Sequence, residues 1–351
     1  MNDFVQRLGS VGAVWSEYQG VPIPTSFGDV IEEYRAARST SALFALPHIE
    51  VVEATGDDQV EFLHVMVTND ISALSNVQGT YSTLLTDKGK MVADFVVISL
   101  DETMWLITDS ARAPALIEHL DRYIIADDVE LERLELVVLS LQGPKAGEIV
   151  SGAAGGLVPP KRPFDHAALE IGGQQITVVA NDRTCLGGYD LLMSADSAEA
   201  VWELLTTGDG VCPAGMDALN ILRTEAGTPW FGVDMTEKTI PLEAGLVNAI
   251  STSKGCYLGQ ETIVRILHQG HVNRKLVGLL PDTPDPPPLG TEILYNNKTT
   301  GTITSSVFSP SLDRPIALAT VRRSASEPGT VVALSTGETA TATVAGLPFD
   351  L

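Results

Sequence analysis

The chain has 351 residues, 44% of them hydrophobic and 19% charged, which is typical of a globular protein with two or three domains. Its 22 basic and 45 acidic residues give a formal net charge of −23, which disfavours binding to nucleic acid or to an anionic membrane. No apolar run approaches roughly eighteen residues, and no basic segment leads into an apolar one at the N-terminus. We therefore expect a cytoplasmic protein.

The first part of the chain mixes helix and strand signals. Residues 29–38 have a helical composition and residues 50–54 predict a strand. Residues 80–86 and 91–99 then predict a hairpin around the turn Asp87-Lys88-Gly89. On its second strand, alternation places Asp94 in a row with Val92 and Val96, so a lone carboxylate lies in an apolar row. If that face is buried, Asp94 must be hydrogen-bonded, ion-paired or shifted to a higher pKa; otherwise it is a rim carboxylate at a strand bend.

Further strands and helices alternate up to residue 226, without a Gly-x-Gly-x-x-Gly or phosphate loop. This order predicts an α+β fold rather than a doubly wound sheet. A Pro-rich stretch at 281–288 precedes the final part of the chain. Short strands at regular spacing then predict a small β-barrel, at residues 291–295, 301–307, 316–321, 331–334 and 340–344. We place the domains at 1–278 for the body, with two interleaved subdomains, and 289–351 for the barrel.

The most reactive stretch of the sequence surrounds Cys256. Gly255 and Gly259 allow a sharp turn or a close approach on either side of the thiol. In an extended chain Lys254 would lie on the same side as Cys256, where its charge would favour the thiolate. The alternative is a small buried cysteine beside a solvated lysine. The other cysteines, Cys185 and Cys212, form no Cys-x-x-Cys pair, and a cluster needs about four ligands, so the chain is not expected to carry an iron–sulfur cluster by itself.

This stretch resembles the signature of the YgfZ family, folate-binding-like proteins related to the glycine-cleavage T-protein, an aminomethyltransferase. The matching residues are Lys254-Gly255-Cys256-Tyr257-x-Gly259-Gln260-Glu261, with Arg265 four positions on. T-protein-like segments at residues 41–70, 141–144 and 222–227 extend the resemblance over most of the chain. The resemblance implies a T-protein-like folate-binding body with a C-terminal β-barrel, and tetrahydrofolate or a derivative as cofactor. It further implies a role in iron–sulfur cluster assembly or repair, supporting enzymes such as tRNA-modifying ones, with iron–sulfur client or assembly proteins as partners.

The same resemblance implies a set of site residues. Cys256 and Lys254 would be catalytic. The residues expected to bind the cofactor are Asn69, Asp94, Asp190, Arg223 and Tyr257. Of these, Asp190 matches the acid that binds the pterin ring, although a strand-end carboxylate is an equal alternative. Arg223 suits a structural ion pair as readily as a ligand.

Two other functions compete with the iron–sulfur role. One is a tetrahydrofolate-dependent aminomethyltransferase or demethylase, against which Ala93 argues, because it stands where the T-protein has the first of two adjacent aspartates. That first aspartate is expected to contact the folate. The other is a non-catalytic scaffold that grips a client protein, in which Cys256 would be dispensable.

Overall fold

The computed structural model describes residues 3–208, 210–335 and 339–351. The chain forms two compact units. The first holds the chain up to Leu84 together with Val92–Leu219 and Asn248–Leu258, and the second holds Leu85–Met91, Asn220–Val247 and Gly259–Leu351. Both units are therefore discontinuous in sequence.

Helices and strands alternate in short elements. The helices are α1 (Asp3–Ser10), α2 (Val30–Ser39), α3 (Gln59–Met66), α4 (Ala113–Asp121), α5 (Ala146–Ala153), α6 (Ala195–Thr207), α7 (Met216–Ala226) and α8 (Gln260–Gln269). The strands are β1 (Val14–Tyr18), β2 (Val21–Ser26), β3 (Ser41–Ala45), β4 (Ile49–Thr55), β5 (Gly79–Leu85), β6 (Met91–Ser99), β7 (Met104–Asp109), β8 (Glu130–Leu134), β9 (Leu136–Gln142), β10 (His166–Ile171), β11 (Gln174–Ala180), β12 (Gly188–Ser194), β13 (Val211–Ala214), β14 (Arg274–Pro281), β15 (Glu292–Tyr295), β16 (Lys298–Ser309), β17 (Arg314–Arg322), β18 (Val331–Ser335) and β19 (Thr339–Ala345). Within the described ranges, no helix is long and apolar enough to cross a bilayer.

Two large sheets, with the two-stranded antiparallel sheet of β1 and β2 beside them in sequence, build the first unit. A six-stranded sheet has the order β10-β11-β12-β9-β3-β13, in which β13 runs parallel to β3, and a five-stranded sheet has the order β5-β6-β7-β4-β8. Each sheet packs an apolar face against helices: α1, α5 and α6 contribute to the core of the larger sheet, and α3 and α4 to that of the smaller. The predicted α+β, T-protein-like body is confirmed.

The second unit contains a closed barrel of strands β14-β17-β16-β15-β18-β19. Its core is filled by small and branched side chains such as Ile293, Ala319 and Val344. The predicted C-terminal barrel is confirmed. Its first strand is β14, which precedes the Pro-rich stretch, so residues 282–288 form a loop within the barrel.

Local chemistry explains the sharpest boundaries. Asp29 caps α2, because its carboxylate accepts hydrogen bonds from the backbone N–H groups of Ile31 and Glu32 at 2.8 and 3.2 Å. The hairpin between β5 and β6 closes where the Thr86 N–H donates to the Lys90 carbonyl at 2.8 Å. This turn places Asp94 four residues into the body of the sheet.

Candidate active site

Strand β6 presents two neighbouring residues to opposite faces of its sheet. Ala93 is fully buried and packs in the apolar core with Phe95 and Val97. Asp94 lies on the other face, half-buried, and accepts a hydrogen bond from the Tyr81 hydroxyl, with 2.6 Å between Oη and Oδ2. A carboxylate at position 93 would point into hydrocarbon, whereas the carboxyl group of Asp94 lies on the face opposite the apolar core.

Burial and neighbouring charges set the protonation of this acid. Burial raises the pKa of Asp94, and the Tyr81 hydrogen bond and the charges of Arg112 and Arg183 oppose that rise. Burial, reinforced by the Asp94 charge, raises the pKa of Tyr81 well above its usual value, so the phenol stays a donor. Burial also raises the pKa of Asp109 to about 6, and the nearby charge of Asp94 adds to that effect. Asp94 is therefore a carboxyl group that can hold a proton at a higher pH than an exposed aspartate.

Arg183 links this acid to the expected pterin-binding residue. Its guanidinium forms two bonds to the buried Asp190, from Nε to Oδ1 at 3.1 Å and from Nη2 to Oδ2 at 2.6 Å. The Ser140 hydroxyl and the Asn181 amide each donate to Asp190 at 2.7 Å. These four bonds occupy the acceptor positions of a carboxylate that has no exposed surface. Asp190 therefore anchors Arg183, whose charge in turn acts on Asp94.

An aromatic surface adjoins the acid. The Tyr81 and Phe164 rings are stacked, with their centroids 6.2 Å apart and their planes at 26°. Both side chains remain partly exposed. Nearby, His48 has a pKa lowered to about 3, because it is buried and feels the charge of Arg183, and it stays neutral. The arrangement combines a flat apolar surface with one acid and a fixed cation.

Lys254 is held at the end of α3. Its ammonium donates to the backbone carbonyls of His64, Val67 and Asn69, the last two at 2.7 and 3.0 Å. These bonds use all three donors of the ammonium group, and they place a cation where the helix dipole favours one. Burial lowers the pKa of Lys254 to about 8. Lys254 thus has a structural role, and its help to Cys256 stays a prediction.

The signature glycines differ in their structural need. Gly259 has φ +79°, and a Cβ there would lie 2.3 Å from the Thr86 carbonyl, so only glycine fits. A Cβ on Gly255 would meet nothing within 4 Å. The close approach that these glycines allow is therefore present at Gly259, and no neighbour comes close at Gly255. Cys256 itself is an exposed free thiol, and its catalytic role stays a prediction.

Asn69 and Tyr257 both lie in the first unit. The Asn69 amide donates to the Thr80 hydroxyl at 2.8 Å and to the Tyr81 carbonyl at 2.9 Å, so Asn69 fixes the strand that carries Tyr81. Tyr257 is 8% exposed, and burial raises its pKa to about 12. For both residues, binding of a cofactor stays a prediction.

Arg223 belongs to the second unit, where it is a buried structural cation. It is 2% exposed, pairs with Asp234 at 2.6 Å and donates to the Ser305 hydroxyl at 2.7 Å. Its guanidinium carbon lies 4.3 Å from the centroid of the Trp230 ring. These contacts favour the ion-pair alternative, while a folate contact stays a prediction.

Comparison with known proteins decides the family. Residues 4–254 match the GCVT N-terminal domain, and residues 274–350 match the glycine cleavage T-protein C-terminal barrel domain. The chain belongs to the glycine cleavage T-protein family. An aminomethyltransferase of Symbiobacterium thermophilum is 32% identical over 97% of this chain and 94% of that relative. One of Bacillus subtilis is 29% identical over 90% of this chain and 89% of its own length.

A solved structure of the same family agrees. The glycine cleavage system aminomethyltransferase T from Bartonella henselae matches with a TM-score of 0.91 and 26% identity, covering 99% of this chain and 97% of that one. These relatives confirm the enzyme class that the sequence offered as an alternative, an aminomethyltransferase-like enzyme.

The expected membership of the YgfZ family is wrong, because T-protein domains match nearly the whole chain and the relatives above are named aminomethyltransferases. The expected roles in iron–sulfur cluster assembly and tRNA modification were inferred from that membership and are therefore not supported. The signature residues have structural roles in this chain: Lys254 donates hydrogen bonds to backbone carbonyls at the end of α3, and Gly259 avoids a clash with the Thr86 carbonyl. A match to the eight-residue signature therefore does not require the function of the YgfZ family.

Sequence analysis missed the two residues that complete the site, Tyr81 and Arg183. Tyr81 lies on β5, which pairs with β6, the strand of Asp94. Aligning the two strands of the predicted hairpin would have brought these side chains together. Arg183 lies in a loop seven residues before Asp190, where no repeating sequence pattern predicts which way its side chain points. Among residues 3–208, 210–335 and 339–351, no group of three or more His, Cys, Asp or Glu side chains could hold a metal ion.

Proposed function

We propose that this protein is a tetrahydrofolate-dependent aminomethyltransferase. The observation that carries the proposal is Asp94, a half-buried carboxyl with a raised pKa, hydrogen-bonded to Tyr81 within a fold that matches aminomethyltransferases over nearly its full length. The iron–sulfur role has no such support.

The residues around Asp94 fit a folate. The Tyr81 and Phe164 rings offer a flat surface of the kind on which a heteroaromatic ring stacks. Arg183 and Arg112 supply positive charge near the acid. Bound tetrahydrofolate would supply the nitrogen nucleophile that accepts the one-carbon unit.

Asp94 would move the proton that the reaction requires. Release of ammonia from an aminomethyl group needs a proton on the departing nitrogen, and a carboxyl group with a raised pKa can hold that proton nearer to neutral pH. Tyr81 would keep the carboxyl in one orientation through its hydrogen bond to Oδ2. Such positioned acid or base groups contribute about 100-fold to 10,000-fold to a rate.

Asp190 would act through Arg183. Each Asp190 oxygen already accepts two hydrogen bonds, so the carboxylate would orient Arg183 toward the site rather than bind the pterin itself. Direct contact with the pterin would require Arg183 to leave.

The alanine at position 93 is compatible with aminomethyl transfer. Ala93 packs within the apolar core, on the face of β6 that the helices cover. An acid at that position would not reach a ligand on the opposite face, whereas Asp94 does lie there.

The test is turnover with an S-aminomethyl thiol as donor, which should yield the free thiol, ammonia and methylenetetrahydrofolate in equal amounts. We expect ammonia release to require tetrahydrofolate. Tyr81→Phe should lower kcat by about tenfold, because the carboxyl loses one orienting hydrogen bond. Tyr123→Phe, which removes a phenol hydroxyl from a tyrosine that is 40% exposed just after α4, serves as the matched control. Ammonia release that is equal with and without tetrahydrofolate would contradict the proposal.

The variant Cys256→Ala distinguishes two candidate centres of the reaction, the Asp94 site and the signature segment around Cys256. If Asp94 is the reacting acid, this variant should retain the turnover of the parent protein, since the thiol is exposed. Loss of turnover in a folded Cys256→Ala protein would move the chemistry to the signature segment.

A further inference from the structure

A cluster of cations lies at one end of the barrel in the second unit. Arg274 begins β14, Arg322 ends β17, and Arg323 follows in a short 3₁₀ turn. Together with His271, these arginines line a cavity of about 740 Å³, which we call the arginine pocket. The side chains of all four residues are exposed, so a ligand can reach them from solvent.

The cluster is unfavourable as it stands. Arg274 and Arg322 are register partners on antiparallel strands, so two like charges lie directly opposite each other, an arrangement that destabilises a strand pair. The Arg323 N–H donates to the Asn273 carbonyl at 3.0 Å, which holds a third guanidinium beside them. The turn and the strand register thus concentrate positive charge at one point.

The cations are also left without counter-ions. Within the described part of the chain, none of these three arginines forms an ion pair, although the protein has 45 acidic residues and a net charge of −23. The one carboxylate that lines the pocket, Glu327, makes no ion pair with them there. A chain with so many acids could readily have neutralised these arginines, so their pairing with something outside the chain is the simpler explanation.

We propose that the arginine pocket binds a small multivalent oxyanion, of the phosphoryl or carboxylate type. The planar guanidinium presents parallel N–H donors that match the oxygens of either group, and a bound anion would relieve the repulsion between Arg274 and Arg322. The cavity volume lies in the range of small-molecule sites, about 300 to 1,000 Å³. A long polyanion such as nucleic acid is disfavoured, because it would run onto the acidic surface.

A neighbouring cavity limits how far the anion could extend beyond the arginines. Arg274 also lines a cavity of about 380 Å³ in the same unit. Lys238 and the hydroxyl groups of Thr302 and Thr320 line it, together with the carboxylates of Asp234 and Glu243, and Lys90 is paired with Glu243 at 3.9 Å. A ligand that extends past Arg274 would therefore meet one further cation and hydroxyl donors, while the carboxylates would repel additional negative charge. This proposal concerns only the second unit and does not depend on aminomethyl transfer.

The test uses inorganic pyrophosphate and citrate as probes, titrated calorimetrically into the full chain at constant ionic strength. We expect saturable binding of at least one probe, and Arg322→Gln should weaken it at least tenfold. The matched control is Lys298→Gln, which removes one exposed positive charge elsewhere on the barrel and should leave the affinity within about twofold. Tighter binding of pyrophosphate would identify a phosphoryl ligand, and tighter binding of citrate a carboxylate one.

Thermal unfolding gives a second measure. Without a probe, Arg322→Gln should unfold at the same or a higher temperature than the parent, because a like-charge contact is removed. The probe should raise the unfolding temperature of the parent more than that of the variant. Arg323→Gln, in the turn outside the strand pair, serves if Arg322→Gln does not fold. Absence of saturable binding at millimolar concentrations would overturn the proposal, as would equal binding by parent and arginine variant or equal weakening by Lys298→Gln.

Discussion

The ion pair between Arg223 and Asp234 yields the sharpest stability prediction. Asp234 is 5% exposed, and its Oδ2 accepts from the Arg223 guanidinium at 2.6 Å. Asp234→Asn keeps the shape but removes the negative charge that faces the buried Arg223 guanidinium. Breaking a buried pair in this way costs about 3 to 5 kcal/mol. The contact with Trp230 offsets only part of that loss, since a cation–π contact is worth about 0.5 to 2 kcal/mol.

The measurement is equilibrium unfolding in urea. Tryptophan fluorescence should follow the transition, and Trp230 contributes to it because its ring lies against Arg223. The double variant Arg223→Met with Asp234→Asn should be more stable than the sum of the two single losses predicts, since each single variant removes one charge of the pair and the double variant removes both. A loss below about 1 kcal/mol for Asp234→Asn would refute this account of the pair. If Arg223→Met instead abolished folate binding without lowering stability, Arg223 would be a ligand.

Three further changes test other parts of the structure. Lys254→Met removes the bonds that hold the end of α3 and should lower the free energy of unfolding by about 2 to 3 kcal/mol in urea. Asp109 has a folded pKa of about 6 against about 3.9 unfolded, so the folded state holds the extra proton and stability falls as pH rises through this window. Asp109→Asn should remove that fall, gaining about 1 to 2 kcal/mol at pH 8 after allowance for partial exposure, and an unchanged pH profile would contradict it. Gly259→Ala should cost about 2 kcal/mol or more, because its Cβ meets the Thr86 carbonyl, whereas Gly255→Ala should be near neutral; equal effects would refute the distinction.

Local signals predicted much of the fold. The capping residue Asp29 stands one position before α2, and the turn at Gly89 joins two strands close to the predicted ranges. Short strands at even spacing were enough to predict the barrel. The start of the barrel at Arg274 was not visible, because the Pro-rich loop after β14 has the composition of a linker between domains.

The site was only partly visible, because its contacts join distant segments. Alternation along one strand placed Asp94 correctly on a face that carries a partner, Tyr81. The same alternation, applied to Ala93, would have shown that its side chain faces the core. The carbonyl groups that accept hydrogen bonds from Lys254 are about 190 positions away in the sequence, so no local pattern predicts these contacts. The Lys254 ammonium is thus hydrogen-bonded to the end of α3, and its expected effect on a Cys256 thiolate stays a prediction.

Steady-state turnover of Asp94→Asn with tetrahydrofolate and the aminomethyl donor shows whether Asp94 takes part in the transfer. The account predicts a kcat about 100-fold to 10,000-fold below that of the parent, in a folded protein that still binds tetrahydrofolate. Asp94→Asn with unchanged kcat would contradict it, because the acid that defines the site would then have no part in the transfer.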